Sequence, residues 1–160
     1  MVNVRTKTNP TFRDAQLLLL LYKLRRETRL REARRWFVRF FRPQTAAEFQ
    51  QLCPAGSEQE ESFRMVYSYW EMAASFVTAG ILNEELFVHN SSELLLVWSR
   101  LQRLVPEWRQ AWHNPQTVKN IEQVAARAAQ YLNEGDPDSH ATFLSMINGR
   151  DISDDIEFKG

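Results

Sequence analysis

The sequence predicts an all-α protein, a single-domain helical bundle of about four long helices with short helical segments between them. Apolar residues recur three and four positions apart over long stretches, which is the period of an amphipathic helix. The 160 residues include only five glycines and six prolines, and most of these fall where the periodic stretches end. No alternation of apolar and polar residues is long enough to form a sheet. We expect the bundle to cover residues 1–148 and an acidic C-terminal tail to cover residues 149–160.

Helix signals in the first third of the chain predict one long helix over residues 11–41. Asn9 and Pro10 are typical of a helix start, and no helix-breaking residue follows before Pro43. The C-terminal half of this helix is amphipathic. Its apolar face comprises Leu30, Ala33, Phe37, Phe40 and Phe41. Its basic side comprises Arg31, Arg34, Arg35, Arg39 and Arg42.

The middle of the chain contains a helix that is apolar on two sides. A short helix capped by Thr45 precedes it and ends near Leu52. Ser57 is placed to cap the longer helix, and Gly80 to end it. One apolar stripe comprises Phe63, Val66, Trp70, Ala73 and Val77, and the other comprises Met65, Tyr69, Met72 and Phe76. Two apolar stripes imply burial on two sides, so we expect this helix at the centre of the bundle.

A further long helix is expected to begin at Ser91 or Ser92 and to end near Trp112, after a short helix that Asn83 caps. Its apolar residues step by four and three positions, as in a coiled-coil seam: Leu94, Trp98, Leu101, Val105, Trp108 and Trp112. The seam keeps its phase across Pro106, so we interpret the segment as one kinked helix.

The last long helix is predicted to start at the Asn114-Pro115 pair, which is typical of an N-cap followed by a first-turn proline. Its apolar stripe comprises Val118, Ile121, Ala125, Ala128 and Leu132. A turn is predicted over residues 133–137, and a short helix near residues 139–147.

Composition places the chain among ordinary globular domains, with 44% hydrophobic and 25% charged residues. The single cysteine, Cys53, excludes an internal disulfide and any multi-cysteine metal site, and it favours a reducing, cytoplasmic location. The run of five leucines, Leu17–Leu21, lies in an apolar stretch of about 15 Å as a helix. That is roughly half of the hydrocarbon core of a membrane. We expect no transmembrane segment and interpret the run as part of the core.

Charge is segregated along a chain whose formal net charge is zero. Residues 1–42 hold 12 of the 20 Lys/Arg and only three acids, a net charge of +9, so residues 43–160 carry −9. Such an asymmetry creates an electrostatic field even when the sum vanishes, and it bears on the choice of partner.

The candidate interaction site is the arginine stripe of the first helix, Arg31, Arg35, Arg39 and Arg42. We rank contact with a protein first, including the acidic half of a second copy, which would make a homodimer. A solvated helix face without a partner is the next interpretation. Nucleic acid or an anionic membrane could use the same charges, with Trp36 and Phe37 as neighbouring aromatic residues. A pI of about 6.8 disfavours nucleic acid.

The sequence contains no catalytic signature, and we expect no enzymatic activity, cofactor or metal. It has no glycine-rich phosphate loop, nucleophile elbow or His-Glu-x-x-His pair. His89, His113 and His140 are isolated near the ends of elements, and a metal site would need them to converge. Cys53 has no visible histidine partner that would make it a nucleophile.

Glu71 is the acid that most invites a catalytic interpretation, since it lies mid-helix among Tyr69, Trp70 and Met72. The polar stripe around it favours a structural role instead: Arg64, Ser68, Ser75 and Thr78. Buried acids are normally paired, so we expect an ion pair or a hydrogen bond within the bundle. The small serines leave room for an arginine from another helix to be the partner.

One combination of motifs comprises three parts: the segment Tyr69-Trp70-Glu71, the run from Gly80 to Leu86, and Trp98 with its leucine-rich surroundings. It resembles a domain-of-unknown-function family of short all-helical bacterial proteins, and the likeness covers roughly residues 63–112. In that family a helix with an internal glutamate ends at a glycine, an Ile-Asp-Glu-like turn follows, and the next helix bears a central tryptophan. Many members carry an N-terminal transmembrane anchor, which we do not expect here because the leucine run is too short. The resemblance implies no known activity.

Together these patterns predict a non-enzymatic, intracellular interaction module with an arginine-rich contact surface, and self-association is one form that its interaction would take. The alternative is binding of nucleic acid, or of an anionic membrane surface, through the same arginines. An enzyme that uses Glu71 is the third hypothesis.

Overall fold

The computed structural model describes residues 9–149, and this part of the chain contains nine α-helices and no strand. The helices are α1 (Phe12–Arg25), α2 (Thr28–Phe40), α3 (Ala46–Leu52), α4 (Glu58–Thr78), α5 (Glu84–His89), α6 (Glu93–Leu101), α7 (Val105–Ala111), α8 (Lys119–Gly135) and α9 (Ser139–Gly149). The prediction of an all-α bundle is confirmed. The predicted acidic tail lies outside the described residues, apart from Gly149 at the end of α9.

The central helix is α4, as predicted, and it packs against both α2 and α8. Every residue of its first apolar stripe is buried, with an exposed fraction of 5% or less. Ser57 caps the first turn by accepting a hydrogen bond from the amide of Glu60. At the other end, Gly80 adopts a φ of +72°, and the amide of Ile81 donates back to the carbonyl of Phe76. This helix ending favours glycine because its positive φ costs other residues strain.

A cluster of aromatic rings connects α2, α3, α4 and α7. Phe41 directly follows α2 and is fully buried, with its ring 4.5 Å from that of Phe37 and 5.2 Å from that of Phe63. Phe49 of α3 makes an edge contact with Trp108 of α7 at 5.1 Å. Such rings contribute both buried area and orientation-dependent contacts, so the cluster fixes how these four helices face one another.

The prediction of one continuous helix over residues 11–41 is wrong, because the chain turns at Arg26 and Glu27. The Glu27 carboxylate accepts a hydrogen bond from the amide of Leu30 at 3.1 Å and so caps a new helix, α2. Glutamate is not among the preferred N-cap residues, so the sequence shows no clear signal there. An unbroken helix would extend about 46 Å, whereas the break lets α1 and α2 pack separately on the bundle.

The prediction that the five-leucine run is a core segment is correct only for Leu21, which is 3% exposed. Leu17 and Leu18 are partly buried, whereas Leu19 and Leu20 are 66% and 60% exposed. The reason is that α1 lies at the edge of the bundle, so only one of its sides contacts the other helices. Within residues 9–149, no helix combines the length and the apolar composition that a membrane span requires.

The predicted kinked helix up to Trp112 is instead two helices, α6 and α7, with residues 102–104 between them. Pro106 is the second residue of α7, where a missing amide hydrogen costs no intrahelical bond. Most of the apolar seam still belongs to the core, with Leu94, Leu101, Val105 and Trp108 buried and Trp98 partly buried, whereas Trp112 is 54% exposed. Its phase continues because both helices face the same core.

The last long helix starts at Lys119 and not at the predicted Asn114-Pro115 pair. The Asn114 side chain instead accepts a hydrogen bond from the amide of Gln116 at 3.0 Å, within a turn. Val118 then adopts a φ of +60° although it is β-branched, a conformation that the surrounding packing must hold in place. The helix also continues to Gly135, into the predicted turn.

The buried carboxylate of Asp14 attaches the start of α1 to the bundle. It forms a capping box with Thr11, whose amide and hydroxyl donate to it at 2.6 and 2.7 Å. Its other oxygen accepts a hydrogen bond from the amide of Asn83, 69 residues away, at 2.9 Å. Since Asp14 is only 1% exposed, these bonds replace its contacts with water.

We expect Asp14→Ala to lower the free energy of unfolding by about 2 kcal/mol, because it removes a helix cap together with a buried hydrogen bond to Asn83. Urea denaturation followed by circular dichroism measures the change. Glu107→Ala is the control, since it removes the same charge from an exposed first-turn position of α7. It should change the stability by less than about 0.5 kcal/mol. Equal effects of the two substitutions would contradict the role of Asp14.

Tyr69 provides a second connection between α1 and α4, because its hydroxyl donates to the carbonyl of Leu21 at 2.9 Å. Desolvation raises the pKa of Tyr69 to about 12. The folded state therefore favours the neutral phenol. Its contribution to stability is complete below the unfolded pKa of about 10 and is lost as the pH rises through about 12.

We expect Tyr69→Phe to lose about 1 kcal/mol of stability at neutral pH, through the missing hydrogen bond. The same variant should show a shallower loss of stability between about pH 10 and 12 than the wild type. Urea denaturation at a series of pH values measures both effects. Tyr22→Phe alters an exposed tyrosine of α1 and should keep the wild-type slope. An unchanged slope in Tyr69→Phe would show that Tyr69 is not responsible for it.

Candidate interaction surface

The burial of one side of α2 turns its arginines outward. Leu30, Ala33 and Phe37 are 8%, 3% and 1% exposed, and they contact the core. On the opposite side of the helix lie three of the four predicted interaction residues, Arg31, Arg35 and Arg39, all exposed. Arg42 is exposed too, but it lies in the segment after the end of α2 and not on the helix as predicted. We call these four arginines the basic face.

No member of the basic face forms an ion pair within the described part of the chain. Arg34 on the same helix is different, because its Nε and Nη2 both donate to the carboxylate of Glu93 of α6, Nε at 2.8 Å. Its Nη1 also donates to the carbonyl of Arg25. Desolvation opposes the charge of Arg34, yet the hydrogen bond and the charge of Glu93 raise its pKa overall. Arg34 therefore connects α2 to α6, whereas no residue of the basic face forms such an ion pair in the described part of the chain.

Phe40, the last residue of α2, is more exposed than predicted. The sequence places it on the apolar core face, but it is 60% exposed, whereas Phe41 is fully buried. The reason is that α2 ends at Phe40 and the extended backbone of Phe41 turns the next ring inward. An exposed aromatic ring consequently lies between Arg39 and Arg42 in the chain.

Arg100 adds a buried positive charge near the Arg42 end of the basic face. It is 7% exposed, and its Nη1 donates to the carbonyl of Phe41 at 2.8 Å. Its Nε and Nη2 have no hydrogen-bond partner among residues 9–149. Burial, and then the charge of Arg42, lower the pKa of Arg100 to about 10. Sequence reasoning missed this residue, although an arginine inside the apolar stretch of α6 was the available signal.

An acidic groove lies elsewhere on the molecule, between α5 and α8. It has a volume of about 520 Å³, and it is lined by Glu84, Gln123, Ala126, Arg127, Gln130, Tyr131 and Glu134. Glu84 is largely buried and pairs with Arg127, and the Tyr131 hydroxyl donates to it at 3.3 Å. Desolvation and the carboxylates of Glu84, Glu85 and Glu134 raise the pKa of Tyr131. Because Arg127 neutralises Glu84, the acids that remain for a partner at this groove are exposed Glu134 and Glu85, an arrangement that the sequence alone did not reveal.

Glu71 forms hydrogen bonds with the start of α8 rather than an ion pair with an arginine. Its Oε1 accepts hydrogen bonds from the amide and the side-chain amide of Asn120 at 3.1 and 2.9 Å, and its Oε2 accepts one from the amide of Ile121 at 3.0 Å. Thr78 of α4 also donates to the Asn120 side chain, at 2.6 Å. A carboxylate in this position accepts hydrogen bonds from amides that have no acceptor within their own helix. Its negative charge also interacts favourably with the positive end of the helix dipole. Glu71 is thus hydrogen-bonded within the bundle, one of the two expected arrangements, and its partner is a helix N-terminus rather than an arginine.

The remaining candidate residues do not gather into one site. Within residues 9–149, no group of three or more His, Cys, Asp or Glu side chains has an arrangement that could hold a metal ion. His89 makes an edge contact with Tyr131, and His140 donates its backbone amide to Asn133. Cys53 is buried, and desolvation raises the pKa of its thiol to about 11. A thiol in that state has little nucleophilic character near neutral pH.

We expect Glu71→Ala to lower the free energy of unfolding by about 2–3 kcal/mol, because it leaves the first amides of α8 without their acceptor. Glu71→Gln keeps one carbonyl oxygen and should cost roughly half as much. Urea denaturation measures both, and hydrogen exchange should show faster exchange at Asn120 and Ile121. If Glu71→Ala were as stable as the wild type, the carboxylate would have no capping role.

The comparisons with known proteins bear on the family. The model of the family described as "Domain of unknown function (DUF4760)" matches residues 10–128, which covers α1 to α7 and most of α8. No curated protein and no solved structure matched the chain. The family match spans well over half of the 160 residues and includes the segment whose resemblance the sequence indicated. The chain therefore belongs to the DUF4760 family of domains of unknown function.

Proposed function

We propose that this protein is a non-enzymatic interaction module that binds an acidic protein surface through its basic face. The observation that carries the proposal is the row of four exposed guanidinium groups without an ion pair in the described residues. Arg34 of the same helix differs, because its largely buried guanidinium is paired with Glu93. Charges that serve no internal contact are available to a partner.

Arg100 strengthens the proposal, because its charge is not neutralised by an acid at close range. A buried guanidinium with two unused donors raises the positive potential around Arg42. An acidic partner at that end of the basic face would offset part of this cost. We therefore expect the Arg42 end to contribute most to binding.

A second copy of the chain is the first partner to consider. The acidic groove offers Glu85 and Glu134 near Tyr131, so one molecule carries both a positive and a negative surface. When two such molecules form a symmetric dimer, each contact between the basic face and the groove occurs twice. Association of this kind weakens as salt screens the charges.

Binding of single-stranded nucleic acid is the second candidate, and exposed Phe40 is the observation that favours it. An exposed ring next to Arg39 and Arg42 could stack on a base while the arginines contact phosphates. This function predicts affinity for any single-stranded sequence, with a steep dependence on salt.

We expect Arg35→Glu with Arg39→Glu to weaken self-association by about tenfold or more, because the variant replaces attraction by repulsion. Sedimentation velocity over a range of concentrations, at low and at high salt, measures the association. Arg13→Glu with Arg64→Glu is the matched control, since it makes the same change in net charge at exposed positions outside the basic face. The control should associate as the wild type does.

A wild type that stays monomeric at low salt and high concentration would contradict self-association. Fluorescence anisotropy with a labelled oligothymidine then tests the second candidate, with Phe40→Ala as the variant that removes stacking. A monomer that also fails to bind the oligonucleotide would leave the basic face without either proposed partner.

A further inference from the structure

A row of polar contacts connects α2 and the segment after it with α6 and the turn after it. Each contact joins residues that are 59 positions apart: Arg34 with Glu93, Phe41 with Arg100, and Gln44 with Arg103. A constant separation means that the two stretches of chain run side by side in the same direction. We call these three contacts the polar row.

The first two arginines of the polar row differ in what binds the same edge of the guanidinium. In Arg34 the Nε and Nη2 atoms both donate to the carboxylate of Glu93. In Arg100 the same two atoms have no hydrogen-bond partner among residues 9–149, although the residue is only 7% exposed. Its Nη1 donates to the carbonyl of Phe41. Buried donors are nearly always satisfied, so the Nε–Nη2 edge of Arg100 points to a ligand that supplies the acceptors.

Two further arginines lie near this edge of Arg100. Arg42 is exposed, and its charge, after burial, contributes to the lowered pKa of Arg100. Arg103 follows Arg100 by three residues and is also exposed. No acid forms an ion pair with any of these three arginines in the part of the chain that the structure describes. Glu48 approaches the same end of the polar row, but its carboxylate accepts a hydrogen bond from the amide of Gln44 at 2.7 Å.

Three positive charges favour a phosphate group over a carboxylate as the ligand. One guanidinium suffices for a carboxylate, as Arg34 and Glu93 show in this same molecule. A phosphate monoester carries a charge of about −2 and three acceptor oxygens, so it can bind one arginine through two hydrogen bonds and still attract other cations. The planar Nε–Nη2 edge of Arg100 supplies two parallel donors, and Arg42 and Arg103 supply the additional charge.

Two segments outside the helices flank Arg100. Residues 41–45 connect α2 to α3, and residues 102–104 connect α6 to α7. The Nε and Nη2 atoms of Arg100 are covered in this structure, so a phosphate reaches them when side chains of these segments move. Gln44 and Arg103 are exposed and share one hydrogen bond, at 2.7 Å. Exchanging an exposed hydrogen bond for contacts with an anion costs little free energy.

We propose that Arg42, Arg100 and Arg103 form a binding site for a phosphate group at the end of the polar row. The Nε and Nη2 atoms of Arg100 donate to two of its oxygens, and the other two guanidinium groups balance the remaining charge. The phosphate is either free in solution or esterified to a serine of a protein partner. This site goes beyond the proposed function, because it requires no protein partner and shares only Arg42 with the basic face.

Isothermal titration with inorganic phosphate at constant ionic strength tests the proposal. The wild type should bind one phosphate per chain. Arg100→Lys keeps the positive charge but loses the two parallel donors, so it should raise the dissociation constant by about tenfold or more. Arg64→Lys is the matched control, since it makes the same exchange at an exposed arginine of α4. The control should bind phosphate as the wild type does.

A second variant keeps the test independent of any folding defect in Arg100→Lys. Arg42→Gln with Arg103→Gln alters two exposed residues, so the fold is retained. It should also weaken phosphate binding by about tenfold, because two positive charges near the anion are lost. Arg31→Gln with Arg64→Gln removes the same charge at exposed positions elsewhere and should bind within about twofold of the wild type.

A second titrant distinguishes the two sources of the phosphate group. Short peptides with a central phosphoserine are compared with inorganic phosphate and with the same peptides lacking the phosphate. Tighter binding of the phosphopeptides than of inorganic phosphate supports the site and assigns it to a phosphorylated partner. Weaker binding of the phosphopeptides supports the site and assigns it to free phosphate.

Three results would overturn the proposal. The first is a wild type without saturable binding of inorganic phosphate or phosphopeptide at low ionic strength. The second is Arg100→Lys with the affinity of the wild type, which would reduce the effect to general attraction of charges. The third is binding that appears only when Asp151, Asp154 and Asp155 are replaced by asparagine, which would make acids of the chain itself the ligand of Arg100. Sedimentation in phosphate-free buffer tests self-association separately, so the two proposals can fail independently.

Discussion

The packing of Phe41 between Phe37 and Phe63 is the contact on which the arrangement of this molecule depends. It places the end of α2 against the central helix α4, and the edge contacts of Phe49 and Trp108 extend the same cluster to α3 and α7. Once these rings are buried, the rotation of α2 is fixed. The side that carries Arg31, Arg35 and Arg39 must then face solvent. The exposure of the basic face is therefore a consequence of the aromatic core, not an independent property of the arginines.

Five acids among residues 9–149 complete the starts of helices. Asp14, Glu27, Glu48, Glu60 and Glu71 all accept hydrogen bonds from backbone amides at or near the start of a helix. Two of these bonds connect distant elements, Asp14 to the start of α5 and Glu71 to the start of α8. Carboxylates that bind amides are less available to guanidinium groups. These five carboxylates are therefore bound to amides and not to the exposed arginines of the basic face.

The break at Arg26 and Glu27 gives the protein two surfaces of different chemistry. Upstream of it, α1 presents exposed apolar side chains such as Phe12 and Leu19 mixed with exposed Lys23, and downstream α2 presents the basic face. A single unbroken helix would have carried both in one rigid rod, with one rotation for all its residues. With the turn, Asp14 and Tyr69 orient α1 while the aromatic cluster orients α2.

Local signals in the sequence determined the parts of the fold that local chemistry controls. Thr45, Ser57 and Asn83 cap helices where predicted, and Gly80 ends α4, because a cap or a positive φ depends on a few neighbouring residues. The two apolar stripes likewise placed α4 at the centre, and the arginine stripe identified the exposed residues of α2. Only the tertiary structure decided the start of α2 at Glu27, the separation of α6 from α7 and the start of α8 after Val118. It alone also decided the exposure of Leu19 and Phe40, the burial of Arg100 and the partner of Glu71. The physical reason is that these features depend on contacts between residues tens of positions apart, which a helical period does not encode.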